Sequence, residues 1–449
     1  MPVKEPGYRL PKGYTSFQVM LRAFRLTRSP ITEVCGNMKK FGGSYTAIFP
    51  GNLRLLLTQD PGFINHVLRE RHTNYRKSEM TAGRGARLFG NGLVFSNGDY
   101  WLQQRRLIQP GFHTKRLQGL YEIIGRTVAN SLAAFPTGDL IDIYPLMYRL
   151  SFQIAIRSLL DIPLSPDTMT RLSQLFTDLQ NFLIDDVRQP FRRLLYPFSG
   201  EDKAIMQKSA TMKDIVRTIV RQRRTDPAGY DDLLNMLLSA RYEDSGEPMD
   251  EDQLINEVLV LLLAGHDTSA NTLAWLLYLV AGDKEVQHRL ADTAKAITDP
   301  QACVKNEYFH AVINEAMRLY PPAWIADREA LTDDQYGDFS YPAGTVVITF
   351  FYGLHRSPDH WPEADAFKPE RFLDEKGALR KMNAFFPFGA GPRMCIGNNF
   401  AMAEMCFFLQ AFFSKFKITP TGQIPALKPL LTLRPDKVLL NLHKLDHSI

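Results

Sequence analysis

Residues Phe386-Pro-Phe-Gly-Ala-Gly-Pro-Arg-Met-Cys-Ile-Gly397 decide how the rest of the chain is read. Gly389, Gly391 and Pro392 make a tight turn of little side-chain bulk. Arg393 sets a cation two residues before Cys395, and Gly397 lets a backbone pass close where an apolar helix begins. Helix N-terminal amides and nearby positive charge both lower a thiol's pKa. A thiolate in a glycine-walled turn can bind a flat metal macrocycle from one side. A buried, inert thiol is the ordinary condition of an isolated cysteine and is the reading for Cys35, Cys303 and Cys406. For Cys395 the ligand reading prevails, because the residues around it have no core-packing purpose.

Outward from this loop, the composition removes competing classes. The chain has 449 residues, and 53 Lys+Arg against 48 Asp+Glu leave a net charge of +5, so it is neither a small stapled scaffold nor a strongly basic nucleic-acid binder. With 45% hydrophobic and 22% charged residues it is an ordinary globular protein with a large core. Its four scattered cysteines form no zinc spacing and no disulfide framework, which suits a reducing compartment. The N-terminus has no apolar secretory core, so the expected location is cytoplasmic. Leu254–Val280 is the most apolar stretch, but Asn256, Glu257, His266, Asp267, Thr268, Ser269 and Asn271 interrupt it. It reads as a helix through a protein core rather than a membrane span.

Apolar periodicity predicts helices at Phe63–Glu70, Leu117–Phe135, Met169–Ile184, Ala204–Arg223, Leu254–Ala281, Val286–Ile297, Glu307–Leu319 and Asn399–Phe416. Pro50-Gly51-Asn52 between apolar runs predicts a β-hairpin over Ser44–Thr58, with further strands at Gly344–Phe351 and Lys437–Leu442. No connector has the composition of a flexible linker, and no repeat is visible. The expectation is one mainly α domain over residues 1–449, with small β-sheets and a long central helix.

The cysteine loop resembles that of the haem-thiolate monooxygenases, the cytochromes P450, with Phe388, Gly391, Arg393, Cys395 and Gly397 at the family's positions. Four further motifs of that family follow the same order. Ala264-Gly-His-Asp-Thr268 stands in the middle of the long helix; an adjacent Asp and Thr in a buried helix are costly unless bonded or functional. The resemblance implies that Gly265 makes room for dioxygen, Thr268 bonds it and Asp267 relays protons. Glu315-Ala-Met-Arg318 is an acid and a base three apart on one helical face, weak alone, and Pro369-Glu-Arg-Phe372 adds Arg371. The resemblance implies a buried Glu315–Arg318–Arg371 network that holds the haem pocket. Trp101-Leu-Gln-Gln-Arg105 and Arg328, together with Arg393, are implied partners of the haem propionates.

The resemblance therefore implies a haem b monooxygenase using dioxygen and two externally supplied electrons. A peroxide-driven peroxygenase would not need the Asp267–Thr268 pair, and a non-catalytic haem sensor would need an output module. No Gly-rich dinucleotide fingerprint opens a βαβ unit, so no reductase is fused, and a separate ferredoxin or flavodoxin with its reductase is the expected electron donor. Arg106, Lys115, Arg116, Arg380 and Lys381 are candidate docking cations. Family position assigns Leu88, Phe89, Leu93, Val94, Leu261, Ala264, Pro322, Ala323, Trp324, Ile325 and Thr432 to the substrate pocket, nearly all apolar, so the substrate is expected to be lipophilic. Arg318–Ile325 resembles the bacterial carotenoid-ring hydroxylases, with long-chain fatty acid hydroxylases second. The segment 187–200 mixes Arg188, Arg192 and Arg193 with Phe191, Leu194, Leu195, Tyr196 and Phe198. It is either a roof whose arginines face water or a peripheral contact with a membrane surface.

Overall fold

The helix Glu251–Ala281 is apolar on nearly every side because nearly every side is covered. Asp250 caps it by accepting a hydrogen bond from the Gln253 amide, and Glu251 and Asp252 place negative charge at the positive end of its dipole. The computed structural model describes residues 4–5, 7–161, 164–226, 232–373 and 383–445. Helices dominate those residues, and the central helix is the axis on which the largest core is assembled. Helix Ile143–Leu160 packs along it, Glu201–Thr225 covers another side, and Asn398–Phe413 closes the core from the cysteine side.

Small sheets lie around this helical body. The largest has six strands in the order Gly13–Tyr14, Ser44–Phe49, Leu53–Thr58, Val346–Thr349, Ala326–Ala330 and Tyr75–Arg76. The predicted hairpin is its antiparallel centre, with Ala47 opposite Leu55. Val346–Thr349 joins it in parallel, Leu55 pairing with Val346, so residues nearly 300 apart in sequence share one sheet. A three-stranded sheet pairs Phe416–Pro420 with Leu439–Lys444 and Gly138–Asp142, and a short hairpin joins Leu427–Pro429 to Leu433–Pro435.

Every predicted helix is present, with ends shifted by one to four residues in Thr114–Ala133, Pro166–Arg188, Glu201–Thr225, Lys284–Ala296 and Asn398–Phe413. Glu307–Leu319 has the predicted bounds, because Asn306 caps it through the Phe309 amide and Tyr320 leaves helical geometry. The 63–70 segment changes from α-helix at Pro61–Asn65 to a π-turn at His66–Glu70. Helices Ser16–Arg28, Pro30–Phe41, Ala82–Phe89 and Gly98–Ile108 are additional to the periodicity reading, and so is Ile143–Leu160, which is buried on too many sides to show a single apolar stripe. Among the described residues no helix is long and apolar enough to cross a membrane.

Candidate active site

At Gly391 φ is +68°, and a Cβ there would lie 1.8 Å from the Leu68 carbonyl oxygen, so only glycine serves. This corrects the reading of Gly397, whose φ is negative and where a Cβ would meet only the Phe112 ring at 3.6 Å. The close backbone approach belongs to Gly391, against the π-turn.

The turn is tied at both ends. The Cys395 amide donates to the Phe388 carbonyl at 2.9 Å, and the Phe386 amide donates to Nε2 of His355 at 2.9 Å. Burial and the neighbouring Arg318 push the His355 imidazole down to about 3, so it is neutral and can accept that bond. His355 in turn offers its carbonyl to Arg318. Arg318 is fully buried, forks onto both oxygens of Glu315 at 2.7 and 2.8 Å, and donates to the carbonyls of His355, Ala364 and Ala366. Arg371 reaches Glu315 at 3.3 Å, and the Lys368 amide donates to the same carboxylate at 2.8 Å. The Glu315–Arg318–Arg371 network is therefore present and is wired to the cysteine loop through His355, which no sequence motif announced.

Cys395 retains accessible area yet lies deep in the protein, so it faces a recess rather than the outer surface. Burial raises its thiol above the ordinary value, while the Gly397 amide and the Arg105 charge pull the other way. Both influences read from the sequence, the amide at the helix start and a nearby cation, are thus present and pull downward, and without the metal burial outweighs them. Arg105 donates to the Met394 carbonyl at 2.8 Å, which places this cation beside the sulfur.

On the central helix burial is broken at one turn. Ala264 is exposed and Gly265 and Thr268 are half-buried, while His266, Asp267 and Ser269 are covered. Nothing but Ala155, at 3.9 Å, would meet a Cβ on Gly265. Thr268 donates back to the Ala264 carbonyl at 2.9 Å. His266 Nδ1 donates to Leu262 at 2.6 Å and Nε2 accepts from the Tyr148 hydroxyl at 3.0 Å, a satisfied neutral imidazole whose pKa burial lowers. Asp267 accepts a short hydrogen bond from Thr432, whose oxygen accepts from Asn271 at 2.9 Å.

A cluster of cations stands near the recess. The Arg393 guanidinium lies 4.1 Å over the Trp101 ring and donates to the Ser96 carbonyl at 2.8 Å and to Asn97 at 3.1 Å. Arg328 is buried, and its guanidinium meets its own strand at the Asp327 carbonyl, 2.7 Å away. Lys77, which sequence reasoning missed, is pushed down to about 7 by burial and by Arg328 and Arg393. Arg393 is lowered by burial and by Arg328 and Arg105. Asp327 opposes them, but it already accepts from the Ser78 amide at 2.9 Å and the Thr81 hydroxyl at 2.6 Å. Clustered, under-neutralised cations near a sulfur-floored recess form a donor set for a dianionic, metal-bearing ligand.

The pocket candidates divide. Ala264 and Ala323 are exposed and Val94 and Ile325 half-buried, so they can face a substrate. Phe89 is instead stacked between Phe95 and Phe176 in the core. Trp324 donates to the Leu430 carbonyl at 3.0 Å, anchoring the short hairpin, and Thr432 is turned onto Asp267. In the roof the reading that packs the apolar residues inward and leaves the arginines to water is reversed. Arg192 pairs with Asp185 and Glu201 at 3.0 Å and Arg193 with Asp186 at 2.9 Å, whereas Phe191, Leu194, Leu195 and Phe198 are exposed. Among the docking candidates Arg106 and Lys115 are exposed and Arg116 half-buried; Arg380 and Lys381 lie outside the described residues.

A mainly helical fold built on a long core helix, with a cysteine loop and a buried Glu–Arg–Arg network, defines a haem-thiolate architecture. The sequence model of the cytochrome P450 family matches residues 11–442, and the chain belongs to that family. It is 28% identical over 342 residues to cyclooctat-9-en-7-ol 5-monooxygenase of Streptomyces melanosporofaciens, covering 75% of this chain and 74% of the relative. It is 26% identical over 412 residues to pentalenene oxygenase of Streptomyces avermitilis, covering 89% and 87%. The crystal structure of CYP175A1 from Thermus thermophillus shares its fold with a TM-score of 0.78 at 24% identity, over 96% of this chain and all of that one. The protein is thus a cytochrome P450 monooxygenase, with haem b as cofactor and dioxygen as co-substrate.

Proposed function

We propose that Cys395 ligates the haem iron and that Trp101, Arg105, Arg328 and Arg393, joined by Lys77, hold the propionate edge. The observation that carries this reading is the sulfur-floored recess with its under-neutralised cations. Gly265 leaves space on the opposite face, Thr268 presents a hydroxyl there, and Asp267 is the acid behind it. When bound, the haem supplies dioxygen activation, with thiolate donation favouring O–O cleavage. The protein orients the ring, dries its faces and delivers protons.

The proposed reaction is hydroxylation of a lipophilic carbon skeleton, specifically the ring of a carotenoid-type isoprenoid. Apolar Val94, Ala264, Ala323 and Ile325 support it, as do relatives named for oxidising cyclooctat-9-en-7-ol and pentalenene. Residues 1–449 are read as one haem domain, because the family match occupies nearly all of them. Its electrons are proposed to come from a separate ferredoxin or flavodoxin docking near Arg106 and Lys115. The helix bearing Arg106 also carries Arg105, which touches the cysteine loop, so a donor there would sit close to the sulfur. The exposed Phe191, Leu194, Leu195 and Phe198 support a peripheral membrane contact through apolar insertion rather than through Arg192 and Arg193, which are already paired.

A spin-state titration with carotenoids, fatty acids and steroids tests the substrate. The expected result is a low-to-high-spin change with the carotenoid at the lowest concentration; a response to fatty acids alone rejects the isoprenoid reading.

A further inference from the structure

Glu257 stands in the first half of the central helix with no exposed area, and among the described residues no ion pair neutralises it. A buried carboxyl without a cation is costly unless hydrogen bonds hold it, and two do. Oε2 accepts from the Leu93 amide at 2.9 Å, and Oε1 accepts from Nε2 of Gln253 at 2.6 Å. Gln253 in turn accepts from the Tyr100 hydroxyl, so a chain of side chains runs from the start of the Gly98–Ile108 helix to the backbone of Leu93. Burial pushes the Glu257 carboxyl up to about 8 against the pull of both bonds, so at neutral pH it is mostly uncharged and serves as an acceptor.

The Leu93 amide belongs to residues 90–97, the loop that joins the Ala82–Phe89 helix to the Gly98–Ile108 helix. At one end of this loop Gly92 presses on the central helix, where a Cβ would stand 2.9 Å from the Asn256 carbonyl oxygen. At the other end Lys77 donates to the Val94 carbonyl, and Arg393 donates to the Ser96 carbonyl and to Asn97. The loop therefore spans from the central helix to the cations beside the recess, with half-buried Val94 along its course. Leu261, Ala264 and Thr268 follow Glu257 at intervals of four, three and four residues. Those eleven residues are about three turns, so Thr268 points within about 20° of Glu257 and lies about 16 Å farther along the axis. Glu257 thus shares the stripe of the helix on which burial is broken at Ala264 and Thr268.

We propose that Glu257 is a positioning residue for the reaction: by accepting from the Leu93 amide it fixes the Leu93–Val94 wall against the central helix, and so sets how large a ligand the recess grips. The proposal rests on Cys395 holding the haem in that recess. Glu257 acts through the Leu93 backbone and touches neither ligand nor haem. Glutamine can take over the role. In Glu257→Gln the amide oxygen accepts from Leu93 and the amide nitrogen donates to a turned-over Gln253, which then donates to the Tyr100 oxygen; the chain reverses with every group paired. Leucine, of similar volume, strands the Leu93 amide and the Gln253 side chain in a dry site.

The test is optical titration of the ferric holoenzyme with two iron ligands: imidazole, and 4-phenylimidazole, which carries an additional apolar ring to rest on the wall. In Glu257→Leu the dissociation constant for 4-phenylimidazole should rise about tenfold, as expected when a buried amide loses its acceptor. That for imidazole should stay at its wild-type value, and Glu257→Gln should match wild type with both. An equal loss of both ligands in Glu257→Leu, a loss of neither, or a Glu257→Gln variant as impaired as Glu257→Leu overturns the proposal. Should Glu257→Leu not fold, Gln253→Leu, which frees Glu257 from its side-chain partner, must weaken 4-phenylimidazole selectively, and its failure to do so overturns the proposal. The ferrous carbon monoxide spectrum separates the two levels. A wild type without the thiolate band fails the haem reading, and the proposal with it; a normal band with unselective variants overturns the positioning role alone.

Discussion

Glu315 and Asp186 each gather arginines, one beneath the cysteine loop and the other in the roof. Glu315 and Arg318 have no exposed side-chain area, and Arg371 has 9%. Asp186 is almost as well covered, but its partners are not: Arg84 is 31% and Arg193 36% exposed. Burial alone would raise the Asp186 carboxyl, yet the Arg193 hydrogen bond and the Arg84 charge bring it below the ordinary range. The same pairing therefore does different physical work. Desolvated on both sides, it is a permanent brace, because losing one partner strands a buried charge. Solvated on one side, it is a clasp that water and salt can open, and it joins the Ala82–Phe89 helix to the roof at Arg84 and again at Arg87–Asp202, 2.6 Å apart.

The largest effect expected from this contrast is at Glu315. Glu315→Ala leaves Arg318 and Arg371 without their carboxylate and should cost about 3–5 kcal/mol. Chemical denaturation and haem content measure it; a stable variant with full haem would break the distinction between brace and clasp. Next comes Gly391→Ala, which adds a methyl against the Leu68 carbonyl at positive φ, a strain of about 1–3 kcal/mol before the steric clash is counted. Its expected outcome is haem loss with helix content retained in circular dichroism, whereas Gly397→Ala should keep its haem.

Thr268→Ala touches neither network and should leave stability and haem unchanged. It is expected to uncouple the cycle, with reductant consumed and hydrogen peroxide released in place of product. Equal coupling in variant and wild type would remove the hydroxyl from oxygen activation. The smallest effect belongs to Asp186→Asn, about 1 kcal/mol or less of stability, because its arginines rehydrate. Its carboxyl has a depressed pKa when folded, so its contribution is present above the unfolded value and is lost as pH falls through the folded one. Wild-type roof proteolysis should therefore rise in strong acid and in high salt, and the variant should already show the fast rate at neutral pH and low salt. Salt-independent protection in wild type would show the clasp to be a brace.

What was legible in the sequence follows the same division. The cysteine loop, the Ala264–Thr268 turn and the Glu315–Arg318–Arg371 residues are short motifs with residue types that packing alone does not require, and the structure brings the last group together as read. His355 and Lys77 were missed because each is a lone residue whose meaning comes from a contact 31 residues away or from cations far off in sequence, Arg328 on a strand and Arg393 in the cysteine loop. Ile143–Leu160 was missed because a helix covered on most sides has no periodic stripe. Trp324 and Thr432 were assigned to the pocket by position, and only three dimensions reveal that they serve the hairpin and the acid instead. In the roof, alternating arginines and aromatics could not say which set faces inward; acids at Asp185, Asp186 and Glu201 decide it.

The central claim is that Cys395, alone of the four cysteines, is the sulfur that holds the haem. The ferrous carbon monoxide spectrum tests it most directly. Wild type and Cys406→Ser should both show the red-shifted Soret band of a thiolate-ligated haem, and Cys395→His should lose it while retaining helix content. A thiolate band that survives in Cys395→His would contradict the account.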